Sequence, residues 1–202
     1  MMTIMRKTAP INRLAAKQES HARIVKVAAR AIRQSGYNGT GVADIMKEAG
    51  LTHGAFYAHF ESREAMLVEA LDSAFDESNN LAQRAIVGAP VGQSLSAVIN
   101  AYLSESHQIG IETGCPLTAL CSEMPRQSQE LRRVSTRRIQ DMVHLVAKQL
   151  PDSTPSVNNE RALVTVATMV GTLMLARAVD DPSFANALRL AAIKSLSADK
   201  TA

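Results

Sequence analysis

The side chains best suited to contact a partner lie in one short segment, His53-Gly-Ala-Phe-Tyr-Ala-His-Phe60. Phe56 and Phe60 are four residues apart, so on a helix they share one face and can pack into a core. The opposite face then carries Tyr57 and small residues, flanked by two imidazoles. Small outward residues let a helix backbone approach a partner closely, and an exposed tyrosine in a chain with only three tyrosines is unlikely to be accidental. The alternative is that Tyr57 covers a core and both histidines are ordinary surface residues.

Two short helices joined at a glycine must position this face. Thr40 and Gly41 open the first helix, Gly50 turns the chain, and Thr52 can cap the second helix. Two short helices at such a turn predict a helix-turn-helix, whose second helix can enter the major groove of DNA.

Charge is unevenly distributed along the 202 residues. Residues 1–60 hold nine Lys and Arg against three Asp and Glu, whereas the rest of the chain is mildly acidic and the whole carries +3. A basic N-terminal part suits contact with phosphates. An uneven charge by itself is more often explained by a basic helix whose charged side chains are simply exposed to water.

Helical periodicity recurs along the chain and strand signals are weak, so we expect an all-α fold of about nine helices. Residues 1–19 lack a repeating apolar face and are interpreted as a flexible basic arm. Residues 20–66 would form a three-helix domain and residues 67–202 a second helical domain. The predicted helices begin at Ser20, Thr40, Thr52, Ser62, Leu95, Pro116, Pro125, Asn159 and Pro182.

The composition argues against several other classes of protein. Cys115 and Cys121 fit neither a disulfide framework nor a zinc spacing, so we expect a reducing, cytoplasmic setting without a metal or cofactor. The longest nearly uncharged run, residues 162–176, is shorter than the roughly 20 residues of a membrane span and predicts a buried helix. The five histidines are scattered and no nucleophile–base pair is evident, so we predict no catalytic site and no enzyme.

The segment from residue 20 to residue 67 resembles the TetR family of bacterial transcriptional regulators. Order and spacing agree at Gly36, Tyr37, Thr40, Asp44, Ile45, Ala49, Gly50, Gly54, Phe56, Tyr57, His59, Phe60, Ser62, Arg63 and Glu64. The resemblance is weaker beyond residue 67. Two positions depart from the family's pattern, which usually has Lys, Arg or another polar residue at His53 and Lys at Arg63.

The resemblance implies roles in DNA binding. Thr40 and Thr52 would contact phosphates from helix N-termini, where free N–H groups favour anions. Tyr57 and His59 would hydrogen-bond phosphates on either side of the groove, and Arg63 would add an ionic contact. The residues facing the bases would be His53, Gly54 and Ala55, the last able to touch a thymine methyl.

The resemblance also implies that residues 67–202 bind an effector and dimerise. Wide apolar faces on the last two helices suit a homodimer on a palindromic operator, although a single copy could bury the same faces. An effector pocket is expected among the helices from Leu95 to Leu150. Its candidate lining is Tyr102, His107, Cys115, Met124, Met142 and Met169, although such methionines are more often plain core.

Cys115 would place its thiol at the N-terminus of a short helix, where the helix dipole favours the thiolate. The alternative is that Cys115 is a small residue that fills a turn beside the pocket. The leading functional hypothesis is a DNA-binding repressor that binds a palindromic operator as a homodimer and is released by a small-molecule inducer, with a thiol-reactive inducer as one form. The alternative is a ligand-independent structural or nucleoid DNA-binding factor, and activation of transcription also stays open.

Overall fold

The computed structural model describes residues 9–150 and 154–198. These residues form nine α-helices and three 3-10 helices, with no strand among them, which confirms the all-α prediction. The α-helices are α1 Ala9–Ser35, α2 Val42–Glu48, α3 Arg63–Val87, α4 Ser94–Tyr102, α5 Glu105–Ile109, α6 Pro116–Leu120, α7 Gln129–Ala147, α8 Pro155–Ala178 and α9 Pro182–Ala198. The 3-10 helices are His53–Ala58, Ile111–Thr113 and Met124–Arg126.

The first helix begins earlier than the sequence predicts. The prediction placed a flexible arm over residues 1–19 and a helix start at Ser20, but α1 already includes residues 9–19. Ala15-Ala-Lys17-Gln-Glu19 consists of strong helix formers, and a helix that stays in solvent needs no repeating apolar face. Residues 1–8 of the predicted arm lie outside the described residues.

The N-terminal core lies where α1 and α3 cross. Ile24, Ala28 and Ile32 of α1 are buried, and so are Met66 and Ala70 of α3. These residues follow the four-residue spacing that the sequence shows, so each helix buries one stripe against the other. The packing fixes the ends of α1 and α3, between which α2 and the His53–Ala58 helix lie.

The predicted helix from Leu95 to Gly114 is divided in the structure. α4 ends at Tyr102, and Ser104 starts α5 by accepting a hydrogen bond from the His107 backbone N–H at 3.2 Å. A serine at this position satisfies a free N–H of a new helix, which is why the chain restarts rather than continues. The predicted helix from Pro116 is also shorter and ends at Leu120.

Each of the last two helices buries only one face, which packs against the other helix and the core. The inner face of α8 is buried through Ala162, Val166, Met169 and Leu173, so the predicted burial holds for that face alone. The outer faces expose large apolar side chains, namely Val157, Leu163, Val164, Leu175, Phe184 and Leu190. Among the described residues α8 alone is long and apolar enough to cross a membrane, with 33% of its most apolar stretch buried in the chain.

Phe56→Ala tests the anchoring of the His53–Ala58 helix. Phe56 is 2% exposed, so truncation should lower the free energy of unfolding by about 3–5 kcal/mol, the range for large-to-small core substitutions. Tyr57→Ala is the matched control: its side chain is 72% exposed and its loss should cost less than about 0.5 kcal/mol. Urea denaturation of both variants measures this, and equal costs would contradict the packing.

Candidate functional site

The His53–Ala58 helix presents one face to solvent and is held by the other. Gly50 adopts a φ of +72°, a conformation that side chains rarely tolerate, and turns the chain after α2. The rings of Phe56 and Phe60 stack with centroids 5.5 Å apart and are 2% and 3% exposed. Tyr57 consequently points outward and is 72% exposed.

The exposed surface of this helix brings together most of the predicted DNA-binding residues. Thr52, His53 and Gly54 are exposed beside Tyr57, and Ala55 is half-buried. A Cβ added at Gly54 would meet no atom within 4 Å, so a partner could approach the backbone closely there. Thr52 is the N-cap, but its side chain makes no capping hydrogen bond and its hydroxyl stays available.

Two of the predicted phosphate ligands are engaged inside the protein. Thr40 is 4% exposed and its hydroxyl donates to the Gly36 carbonyl at 2.8 Å. Arg63 donates to the carbonyls of Tyr37 and Thr40, the second at 3.1 Å. In this arrangement both side chains hold the turn between α1 and α2, and α2 begins only at Val42 rather than at Thr40.

His59 lies at the edge of the exposed surface. Its ring is half-buried, 5.8 Å from the ring of His21 between centroids, and its Nδ1 atom is buried without a partner among the described residues. Burial lowers the pKa of His59, and the nearby His21 and Lys17 lower it further. The His59 imidazole is therefore favoured in its neutral form.

A second cluster lies at the junction of α5 and α6. His107 Nδ1 lies 2.6 Å from the Tyr102 carbonyl oxygen, and His107 Nε2 accepts a hydrogen bond from the Cys115 backbone N–H at 2.8 Å. These contacts require the neutral tautomer that carries its proton on Nδ1. Burial accordingly lowers the pKa of His107 to about 4.

Arg177 of α8 forms hydrogen bonds to the same junction from the other side. Its guanidinium donates to the carbonyls of His107, at 2.6 Å, and Gln108, at 3.1 Å, and to the Thr118 hydroxyl. Burial lowers the pKa of Arg177. A Cβ added at Gly114 would lie 2.8 Å from both Arg177 and His107, so only glycine fits between them.

A cavity of about 50 Å³ lies between α3, α4 and α7, and Cys115 is among the residues that line it. Of the six predicted ligand-binding residues, Tyr102, Cys115 and Met142 line it. His107 lies behind Tyr102 with ring centroids 4.8 Å apart and does not line the cavity. Met169 is fully buried on the inner face of α8, and Met124 is partly buried against the core away from the cavity.

The sequence prediction missed one wall of this cavity. That wall is α3, which contributes Phe75, Ser78, Asn79, Leu81 and Ala82. The prediction placed the pocket among the helices from Leu95 to Leu150, with Met169 as a further lining residue, and left out α3, whose regular apolar stripe is explained by packing alone. Its length was the available signal, since a 25-residue helix extends beyond the N-terminal core.

Models of two families match most of the chain. Residues 24–70 match bacterial regulatory proteins of the tetR family, and residues 90–191 match the C-terminal domain of LmrA/YxaF-like transcriptional regulators. The chain belongs to the TetR family. It is therefore a DNA-binding transcriptional regulator and not an enzyme, as the sequence predicted.

Individual relatives agree with this assignment. An HTH-type transcriptional regulator of Mycobacterium tuberculosis is 26% identical over 171 residues, which cover 79% of this chain and 85% of that protein. Matches to Bacillus subtilis YuxN and Pseudomonas putida TtgR are both 38% identical, but cover 30% and 33% of this chain. These shorter matches span only 21% of YuxN and 31% of TtgR, and the B. subtilis regulator YerO is likewise covered over 31% of its length.

Solved structures show the same fold. A TetR transcriptional regulator from Chloroflexus aurantiacus superimposes with a TM-score of 0.77 at 24% identity, covering 91% of this chain and 96% of that one. The reduced form of Escherichia coli NemR superimposes with a TM-score of 0.74 at 18% identity, covering 88% and 95%. Family members of this kind are soluble proteins that bind DNA and typically form dimers.

In this TetR-family chain, polar contacts join the cavity end of the protein to the helix-turn-helix. Arg33 of α1 is 2% exposed and donates to the Gly114 carbonyl at 3.2 Å and to Glu77 of α3 at 2.6 Å. Arg30 of α1 pairs with Glu112 at 2.9 Å. The loop before Cys115 is thus bonded directly to the helix that carries the N-terminal core.

Tyr57→Phe tests the exposed hydroxyl. Its removal should weaken binding to every duplex by roughly tenfold to a hundredfold, because a hydrogen bond to a charged group contributes roughly 1.5–3 kcal/mol and a phosphate contact is the same on any sequence. Fluorescence anisotropy on several unrelated duplexes measures this. Thr136→Val, which removes an exposed hydroxyl of α7 outside the cavity lining, should leave the affinity unchanged. A loss confined to one sequence would refute a phosphate contact by Tyr57.

The pKa of His107 predicts a pH dependence of stability. Because the folded-state pKa of about 4 lies below the ordinary 6.5, the stabilisation is complete above pH 6.5 and is lost as pH falls toward 4. The loss attributable to His107 is about 3 kcal/mol, on the scale of 1.36 kcal/mol per pH unit. Urea denaturation between pH 7.5 and 4 should show a shallower decline for His107→Gln, and parallel curves would rule out this role.

Proposed function

We propose that this chain is a cytoplasmic repressor that binds a near-palindromic operator as a homodimer and is released by a small molecule in the α3–α4–α7 cavity. The observation that carries the DNA-binding part is the 72% exposure of Tyr57 on a helix anchored by two buried phenylalanines. A large aromatic side chain left in solvent on a locked helix is suited to a partner rather than to the core.

The exposed residues of the His53–Ala58 helix would divide their roles by chemistry. Thr52 and Tyr57 would hydrogen-bond phosphates, with His59 contributing at the edge of the same surface. His53, Gly54 and Ala55 would face the bases, where the small residues allow close approach to the groove floor. Thr40 and Arg63 would act mainly by holding the turn between α1 and α2, since a phosphate contact would compete with their internal hydrogen bonds.

The proposed dimer uses the outer faces of α8 and α9. Leu163, Val164, Leu175 and Phe184 are exposed there, and a second copy would remove these apolar surfaces from water. Gly171 of α8 has no atom within 4 Å of an added Cβ, so another helix could approach closely at that point. A two-fold dimer would present two His53–Ala58 helices to half-sites one DNA turn, about 34 Å, or more apart.

Release requires a ligand that favours the shape unable to bind DNA. Cys115 lines the cavity, and the preceding Gly114 carbonyl accepts the hydrogen bond from Arg33 of α1. A ligand that displaces the Gly114–Cys115 backbone would therefore act on α1. A nucleoid factor without a ligand would have no use for this connection, which favours the repressor over that alternative.

A thiol-reactive inducer is a specific form of this proposal. Cys115 is 1% exposed and lines the cavity, so a reagent would reach it from the cavity, whereas Cys121 is exposed on the outside. The similar E. coli NemR structure is described as a reduced form, so the oxidation state matters for that protein. With a quinone, the Cys115 sulfur would form a bond to a ring carbon as its S–H bond breaks, and the thiol proton would go to one ring oxygen. The hydrogen of the attacked ring carbon would then move to the other ring oxygen, which leaves a hydroquinone bonded to the sulfur.

The experiment selects a duplex from random sequence and then adds 1,4-benzoquinone. We expect an inverted repeat bound by two copies of the chain, with release by the quinone lost in Cys115→Ser and retained in the matched control Cys121→Ser. Binding without any sequence preference would instead support the nucleoid factor. Release that persists in Cys115→Ser would eliminate the thiol mechanism.

A further inference from the structure

We propose that the α3–α4–α7 cavity takes a small, mostly apolar molecule with a hydrogen-bond acceptor at its inner end and a cationic or donating group at its mouth. The inference rests on the proposed function, because it assigns the chemical class of the effector in that same cavity. It follows from three features: the apolar walls, a hydroxyl without a strong partner inside, and an unpaired carboxylate outside.

The walls of the cavity are apolar and adaptable. Phe75 of α3, Val98 of α4, and Met142, Leu145 and Val146 of α7 supply most of the surface. A phenylalanine favours stacking with an aromatic ring, and a methionine side chain adjusts to irregular shapes. The walls thus favour a compact, single-ring body without specifying its orientation. Because the cavity of about 50 Å³ is smaller than the roughly 150 Å³ that holds benzene, the flexible Met142 and its neighbours must move apart to admit a ring.

The inner end of the cavity carries a hydrogen-bonding group that lacks a strong partner. Tyr102 is 7% exposed, and its buried hydroxyl lies beside the Cys115 thiol, a weak hydrogen-bonding group, and meets no other partner among the described residues. Burial raises the pKa of Tyr102, so the phenol stays protonated and can donate. A buried hydroxyl without a strong partner is unfavourable, and an acceptor on the ligand would satisfy it.

The groups around Tyr102 also favour an acceptor. The ring of His107 cannot accept a hydrogen bond from the Tyr102 hydroxyl, because both of its nitrogens are already hydrogen-bonded. Arg177 lies behind this end, bound to two carbonyls and a hydroxyl rather than to a carboxylate. Its positive charge is therefore not cancelled by a direct ion pair, and it favours the negative end of a ligand dipole.

The mouth of the cavity has the opposite polarity. Asp141 lines it and makes no hydrogen bond or ion pair with any described residue. Arg138 also lines the mouth, but its guanidinium pairs with Asp72 and Asp76, each at 2.7 Å. Arg138 is therefore neutralised, and Asp141 remains to attract a cation or a donor and to repel a carboxylate.

Four single-ring probes test this arrangement by isothermal titration calorimetry on the full chain. Three share an acetyl acceptor and differ at the other end: 4-acetylbenzylamine, 4-hydroxyacetophenone and 4-acetylbenzoate. The fourth, 4-isopropylbenzylamine, lacks the acceptor. We expect the amine and the phenol to bind, and the carboxylate to bind at least tenfold more weakly than the amine.

Two conservative variants locate the two ends. Asp141→Asn should weaken 4-acetylbenzylamine about threefold to fivefold, the range for an exposed ion pair, and leave 4-hydroxyacetophenone nearly unchanged. Asp180→Asn removes the same charge outside the cavity and should change neither affinity. Tyr102→Phe should weaken the acetyl probes and leave 4-isopropylbenzylamine unaffected.

The outcomes separate this inference from the function on which it rests. Equal binding of the amine and the carboxylate, an unchanged amine affinity in Asp141→Asn, or no binding of any probe would overturn the inference. If the probes bind with the expected selectivity but no duplex is ever bound by the protein, the effector chemistry stands and the repressor proposal fails.

Discussion

The stacking of Phe56 on Phe60 is the interaction on which the exposed surface of the protein depends. Both rings lie in the core, and their spacing forces Tyr57 and its neighbours to the outside of the same short helix. The helix has only six residues and no side-chain cap, so its own hydrogen bonds could not hold it in place. Its position comes instead from packing against α2 and from the stacking of Phe60 on His21 of α1, and a change in those helices must move the DNA-binding surface.

The loop Gly114–Cys115 is the point at which the rest of the chain can exert such a change. Its backbone is bonded to His107 of α5 and to Arg33 of α1, and its side chain reaches the cavity. Arg177 brings α8, which carries the exposed apolar face, to the same place. One short loop thus touches the helix of the DNA-binding domain, the cavity and the helix proposed for dimerisation.

The sequence predicted the parts that depend on local pattern. The apolar stripes of α1 and α3, the turn at Gly50 and the opposite exposures of Phe56 and Tyr57 all follow from helical spacing and turn chemistry. The start of α1 was missed because a solvated polar helix has no apolar period. The partners of Arg63 were missed because tertiary packing brings the Tyr37 and Thr40 carbonyls near it, and the α3 wall of the cavity was missed for the same reason. The partners of Thr40 and His107 lie within eight residues of them, but they depend on the exact course of a turn, which the pattern of residue types does not specify.

The most direct test of the central claim uses the unequal exposure of the three tyrosines. Tyr37 and Tyr102 are buried and Tyr57 is exposed, so nitration by tetranitromethane followed by mass spectrometry should modify Tyr57 selectively in the free protein. Saturating double-stranded DNA at low ionic strength should protect Tyr57 from nitration. Equal nitration of Tyr57 with and without bound duplex would contradict the claim that this helix face meets DNA.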